Sequence, residues 1–492
     1  MADQINIVID RVLEDIQQVD GWLWSMVKWW SKQCDYFNLL DSIGDYDGEE
    51  DSIKFYDNEK YLIPVEISGF IPETLKLIKE SKKAQNRLKL WGSHPGATIV
   101  FYHAQETEYE NHIIELIEYF DELGVDPSSL CYVSGNLRLN EFHELRPPEN
   151  WPDAFAWDTI VESGIKLRGH SMFDALYAYL YFSQESVERN PGTGQEMSFS
   201  IKPHTKLDRS KRFVFYNAVP RHHRVLLYVM LRDSGLLEES YHSFLWHKSG
   251  ARHNYKWTED YIGAFAEKPA LLTRLARTLE QDTLEPMGLV YDQQSMLKFC
   301  EEQPSTVLDI DTRDGSYFIP GTDRPITNNI TLQQRSHQNN LSGHYEDSYF
   351  SIVSECVVPL AEHDPGMLEH MKGQALSIES IPQLFITEKT WKPIARYHPF
   401  IIHGCYGTLV YLKCLGYETF PEFFDESYDT EEDPIERLKL IVENIQRLVE
   451  MPKHELAQLF QSVIPKLEHN RNLFLTRDYT TDLREFFESC TN

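Results

Sequence analysis

Positive charge is scarce in this 492-residue sequence: 47 Lys and Arg stand against 77 Asp and Glu, a formal net charge of −30. A surface this acidic repels polyanions and anionic membrane faces, so nucleic acid is not the default partner, although a local basic patch can override the total. No uninterrupted apolar run approaches the ~20 residues that span a bilayer. The opening MADQINIVIDRVLEDIQQ mixes acids into its apolar pattern and has no basic segment ahead of an apolar one, so it does not read as a signal peptide. The expectation is a cytoplasmic protein without a membrane span. Cysteine is also sparse: the seven residues Cys34, Cys131, Cys300, Cys356, Cys405, Cys414 and Cys490 are scattered and form no CxxC pair. Reduced thiols fit that spacing better than a disulfide framework or a zinc site. Neither GxGxxG nor GxxxxGK[ST] occurs, so neither a standard dinucleotide fingerprint nor a P-loop is available.

Apolar material is ample, with 41% hydrophobic and 13% aromatic residues. At roughly 100–200 residues per domain the length implies two or three units. The chain divides into an N-terminal helical and aromatic extension over 1–60, an N-terminal α/β domain over 61–200 and a C-terminal α/β domain over 201–492 with a helical tail. In the extension, Val8, Val12, Ile16, Val19 and Trp22 recur at helical spacing ahead of WLWSMVKWW, whose aromatics read as core. DSIGDYDGEEDS from Asp41 is an exposed acidic loop without regular calcium-ligand spacing. ATIVFYH (97–103), an amphipathic helix over 111–124 and LCYVSGN (130–136) make a βαβ pattern. RFVFYN (212–217), a helix from Arg224, SYFSIVSE (348–355) and PFIIHG (399–404) repeat it in kind. Near-continuous apolar strands alternating with helices imply parallel sheets covered on both faces. The polar stretch 184–210, with NPGTGQE, reads as the linker.

The sharpest local anomaly lies between Ile201 and Arg224, where seven Lys or Arg face only Asp208. A solvated basic face is one reading. The other is an anion site: a strand ends at Asn217, a short turn follows, and Arg221 and Arg224 stand where a helix begins, the place at which open parallel sheets bind phosphate. FITEKTWKPIARYHPFIIHG has the same logic. Its helix is expected to start near Thr390, putting Pro393 in the first turn and Thr387, Glu388 and Lys389 at the helix N-terminus. Lys389 suits a phosphate and Glu388 a ribose diol; an exposed ion pair of little energetic value is the plainer alternative. VLDID carries a DxD at Asp309 and Asp311, a pattern that can hold a divalent metal. Asp425 and Glu426 read as a solvated loop or as contacts to ligand hydroxyls, and His222 with His223 as a polar loop.

The order YFSIVSE, FITEKTWKPIARYHPFIIHG and a helix-rich tail resembles the C-terminal donor-binding half of the α1,3-fucosyltransferase and exostosin-like glycosyltransferases. With KRFVFYNAVPRHHRVLLYVML and GTLVYLKCLGYETFPEFFDESYD added, the set is similar to phage and bacterial proteins described as glycosyltransferases. The resemblance covers roughly 211–475, is faint over 97–136 and is absent over 1–60. It implies an α/β fold of two Rossmann-like domains facing a cleft (GT-B-like). It also implies that Glu388 contacts a ribose, Lys389 the diphosphate, Glu355 the donor side and Arg224 a phosphate. The sequence departs from the pattern in lacking small residues in TWKPIARYHPF and in an insertion between Cys356 and Ser377.

The expected activity is transfer of a sugar from a nucleotide-sugar to a hydroxyl acceptor, whether glycan, protein or modified base. Inversion and metal independence are expected, with no cofactor required beyond the donor substrate. Arg224 and Lys389 would stabilise the leaving diphosphate. Glu106, with Glu108 second, is the candidate base for the acceptor hydroxyl, against the plainer reading of a solvated loop acid. Asn217, Arg221, Glu355, Thr387 and Glu388 complete the expected donor site. A phage-type DNA-base glycosyltransferase and a non-catalytic scaffold are the rival readings.

Overall fold

The computed structural model describes residues 5–10, 13, 37–41, 59–67, 71–103, 110–141, 154–171, 208–217, 222–244, 311–313, 316–318, 341–355, 383–432 and 434–491. The chain forms two compact units: unit 1 takes Met1–Tyr179, Met371–Phe385 and Arg477–Asn492, and unit 2 takes Leu180–His370 and Ile386–Thr476. Each is an α/β unit built on a parallel sheet.

Unit 1 has six strands in the order β2 (Phe37–Asp41), β1 (Ile5–Ile9), β3 (Tyr61–Glu66), β4 (Ala97–His103), β5 (Leu130–Ser134) and β6 (Lys166–Gly169), all parallel. The helical extension expected over 1–60 is corrected at Ile5–Ile9 and Phe37–Asp41, which are strands of this sheet. Ile5–Ile9 is a strand between β2 and β3, because the INIVI run has the β-branched content of a buried parallel strand. β4 is buried at every position, so both of its faces need covering. One face packs α1 (Ile71–Glu80), α2 (Lys82–Gly92), α3 (Glu110–Leu123) and α4 (Ala154–Ser163) through Ile78, Trp91, Phe120 and Ile160.

The last 13-residue helix, α5 (Tyr479–Thr491), belongs to unit 1 and not to the C-terminal domain expected over 201–492. Edge-strand cations hold its C-terminal carbonyls: Arg168 donates to Ser489 O at 2.7 Å and Lys166 Nζ to Thr491 O at 3.1 Å. Positive charge there complements the helix dipole. On its inner side Cys490 meets Cys131 of β5, and that hydrogen bond together with burial pushes the Cys490 thiol well up. The described cysteines, Cys131, Cys405, Cys414 and Cys490, are thiols.

His170, following β6, stacks on Phe486 of α5 with ring centroids 3.9 Å apart. Burial first, then Arg477, pushes its pKa down from 6.5 to about 3. The unfolded chain therefore takes up a proton that the folded chain refuses, so this contribution is complete above about pH 6.5 and is lost as pH falls toward about 3. The ceiling is about 1.4 kcal/mol per pH unit, and partial solvent contact of the ring lowers it, to a total of about 2 kcal/mol by pH 4. Denaturant unfolding at pH 7 and pH 4 should show that much less acid loss in His170→Phe, which keeps the stack. Equal losses in both proteins would mean that His170 titrates normally.

Unit 2 has the parallel order β12 (Phe400–His403), β11 (Ser348–Ser354), β7 (Lys211–Asn217) and β8 (Ser240–Phe244). Between them run α6 (His222–Asp233), the short α7 (Leu341–Glu346) and α8 (Glu388–Ala395). After β12 come α9 (Thr408–Cys414), α10 (Pro434–Glu450), α11 (Lys453–Ser462) and α12 (Ile464–Thr476). Asp311–Arg313 and Ser316–Phe318 form a two-stranded antiparallel ribbon, β9 and β10. The expected strands at 212–217, 348–355 and 399–404 and the helical tail are present to within a few residues. Among the described residues no helix is long and apolar enough to cross a membrane.

Candidate functional site

The order β12-β11-β7-β8 means that the chain places β8 on one side of β7 and β11 on the other. Connections leaving the carboxyl ends of β7 and β11 therefore diverge, and a parallel sheet opens its ligand crevice at such a reversal. Phe213 pairs with Phe350 and Phe215 with Ile352. Two residues further in the same register, Asn217 stands opposite Ser354, which in turn pairs with His403 of β12. The pleat turns all three to one face, and none exceeds 3% exposure. Among the described residues neither amide atom of Asn217 nor the Ser354 hydroxyl has a hydrogen-bond partner.

Glu355, next along, is completely buried and joins four elements. Its Oε1 accepts from the Thr387 N–H at 3.1 Å and the Thr390 hydroxyl at 2.7 Å, and its Oε2 from the Thr387 hydroxyl at 2.6 Å. The carboxylate thus lies under the first turn of α8, where backbone N–H groups and the helix dipole favour an anion. Its own N–H donates to His403 O at 2.9 Å. Its carbonyl accepts from His223 Nε2 and Arg224 Nη2, each at 2.9 Å. A carbonyl only accepts, so His223 carries a proton on Nε2. The His223 and His403 rings meet edge to face at 5.5 Å.

α8 starts earlier than the sequence suggests. Thr387 caps it and Glu388 opens it, so Pro393 lies in the second turn and not the first. The missing proline N–H is tolerated because the helix stops two residues later. There His398 N–H closes on Pro393 O at 2.9 Å, and Tyr397 takes φ 53, with Arg471 donating to its hydroxyl at 2.9 Å. At the rim, Lys389 Nζ lies 3.2 Å from Glu388 Oε1 and 3.1 Å from Thr387 Oγ1, and Lys392 lies 3.8 Å from Glu388. α9 has its first turn filled by Asp429, which accepts from Leu409 N–H at 2.9 Å and Val410 N–H at 3.2 Å.

The structure brings Asn217, Arg224, Glu355, Thr387, Glu388 and Lys389 to the carboxyl end of one sheet, as six members of the expected donor site. Arg224, Glu355 and Thr387 are turned inward and hydrogen-bonded within the protein, whereas Glu388 and Lys389 are half-buried at the rim. Asp425 is spent on capping the 3-10 turn Glu426–Thr430, and Glu426 pairs with Lys413 at 2.9 Å. Glu106, Glu108, Arg221 and Asp309 lie outside the described residues, as do the 184–207 part of the expected linker and the Trp-rich stretch. Asp311 opens β9. Among the described residues no three His, Cys, Asp or Glu side chains gather as a metal site. Sequence reasoning missed Ser354 and His403; the signal for both was their place as the last residue of an apolar strand.

In unit 1 the order reverses between β1 and β3. There Asp10 accepts from the Trp91 indole at 3.0 Å and lies 3.4 Å from Arg87. At the same edge His103 Nδ1 meets the Tyr132 hydroxyl at 3.0 Å. No protein-family model, curated protein or solved structure matches the chain.

Proposed function

We propose that the protein is a glycosyltransferase that moves a sugar from a nucleotide-sugar donor to a hydroxyl acceptor. Unit 2 would hold the donor where its strand order reverses. The observation that supports this most is the convergence, at the β7 and β11 carboxyl ends, of Asn217, Arg224, Glu355 and the Glu388–Lys389 start of α8. A leaving diphosphate gathers negative charge as the sugar–oxygen bond breaks, and fixed cations and helix starts stabilise that charge without reorganising. Lys389 is the rim cation for this task, with Glu388 available to a ribose hydroxyl. Arg224 acts from behind by holding the Glu355 backbone. Two parallel-sheet units in one chain support the finer GT-B-like reading, in which unit 1 takes the acceptor and Glu106 is the base. Displacement would be inverting and independent of metal.

A panel of nucleoside diphosphates and nucleotide-sugars, with and without a divalent metal, tests the donor site by thermal unfolding. A ligand of the folded state at about 100 times its dissociation constant adds about 2.7 kcal/mol. That gain should disappear in Lys389→Ala, which removes the rim cation while the Glu355 hydrogen bonds to Thr387 and Thr390 remain. A panel without any gain in the wild type sinks the donor reading.

A further inference from the structure

We infer that Asn217 and Ser354 form a subsite for the vicinal diol of a carbohydrate, a contact that rests on the donor reading for its ligand but on separate atoms for its chemistry. The two residues end adjacent parallel strands, face the same way and sit at the reversal of strand order. Asn217 is 3% exposed and Ser354 1%, yet Asn217 Nδ2 and Oδ1 and Ser354 Oγ have no hydrogen-bond partner among the described residues. Burying polar atoms this way is costly, and native proteins leave few of them unmet. Two such residues side by side, at the end of the sheet where ligands enter, point to a guest that completes them.

Their chemistry selects the guest. The amide exposes a donor and an acceptor together, and the hydroxyl can be either. A phosphate or carboxylate only accepts, which would leave Oδ1 unmet; an ammonium only donates, which would leave Nδ2 unmet. Neighbouring hydroxyls do both, and a vicinal pair spans the amide and the serine at once. Charge agrees with this division, since the described cations nearby are already directed elsewhere: Arg224 at the Glu355 carbonyl and Lys389 at Glu388 and Thr387. The His223 and His403 rings, in mutual edge-to-face contact, stand beside the pair. The diol could come from a ribose or from the transferred sugar.

Asn217→Leu, close in size and apolar, and Ser354→Ala test this by calorimetric titration. The ligands are a nucleoside diphosphate, its 2′,3′-dideoxy analogue, the matching nucleotide-sugar, and free monosaccharides at high concentration. Each variant should weaken a diol-bearing ligand about 10- to 100-fold while leaving the dideoxy analogue as it binds the wild type. If the ribose supplies the diol, the nucleoside diphosphate itself loses affinity; if the transferred sugar supplies it, only the nucleotide-sugar does. Unchanged binding of every ligand overturns the subsite. So does a lowered melting temperature of both ligand-free variants with affinity preserved, the mark of a structural water held by the pair. If no nucleotide binds the wild type, the donor reading falls by itself, and the monosaccharides decide: binding lost in Asn217→Leu supports the subsite, and no binding overturns it.

Discussion

Glu355→Ala should lower the unfolding free energy of unit 2 by about 3–5 kcal/mol, the range for removing one member of a buried charged network. The carboxylate accepts three hydrogen bonds from Thr387 and Thr390 at 2.6–3.1 Å and is completely buried. Alanine leaves two buried threonine hydroxyls and one helix-start N–H without their acceptor, and it leaves a void. Glu355→Gln should cost less, about 1–2 kcal/mol, because Oε1 survives and a threonine hydroxyl can turn to accept from the new amide. The start of α8 carries Glu388 and Lys389, so a loosened first turn also moves the rim cation. Nucleotide-dependent stabilisation should therefore fall in Glu355→Ala beyond what its lower starting stability explains. Chemical denaturation of the three proteins at pH 7 reads the first effect, and a loss below about 1 kcal/mol in Glu355→Ala would mean that the network is not holding α8.

Much of the fold is legible because its strands carry their own evidence. ATIVFYH and RFVFYN carry the four-residue apolar runs IVFY and FVFY, and SYFSIVS sets only small serines between its apolar pairs, as strands buried on both faces require, and they are central strands of their sheets. INIVI was hidden by its neighbourhood: Val8 and Val12 also fit a helical period, and four or five residues cannot decide between the two periods. The return of the final helix to unit 1 has no local signal. YTTDLREFFESCT is an ordinary amphipathic helix, and its destination is fixed by Arg168 and Lys166 more than three hundred residues earlier.

The candidate site was legible in part for the same reason. Residue types at strand ends and helix starts marked Asn217, Arg224 and Glu388–Lys389, whose adjacency in the FITEKTWKPIARYHPFIIHG segment now has a structural explanation. Thr387 caps the helix from inside, Glu355 anchors the cap, and the next two residues emerge at the rim with opposite charges. Register, which the sequence does not state, is what sets Asn217 beside Ser354 and Ser354 beside His403.

Gly169→Ala should destabilise unit 1 by about 3 kcal/mol or more, at the upper end for an overpacked site. A Cβ at this position would lie 2.1 Å from Asn136 O and 2.8 Å from the Leu137 backbone, distances that no rotamer change relieves. Neither side can retreat. Asn140 clamps Gly169 from both directions, donating to its carbonyl at 2.7 Å and accepting from its N–H at 3.0 Å. The opposing backbone is pinned in turn, since Leu137 N–H donates to Leu384 O at 2.8 Å and Asn136 Oδ1 accepts from Leu384 N–H at 3.0 Å. Gly124→Ala makes the comparison sharp: that glycine has φ 77 and open space around it, so alanine there costs backbone strain alone, about 1 kcal/mol. Unfolding curves of the two variants separate crowding from conformation. If Gly169→Ala cost no more than Gly124→Ala, the close approach of β6 to the Asn136–Leu137 turn would be wrong, and with it the pinning of that turn on Leu384.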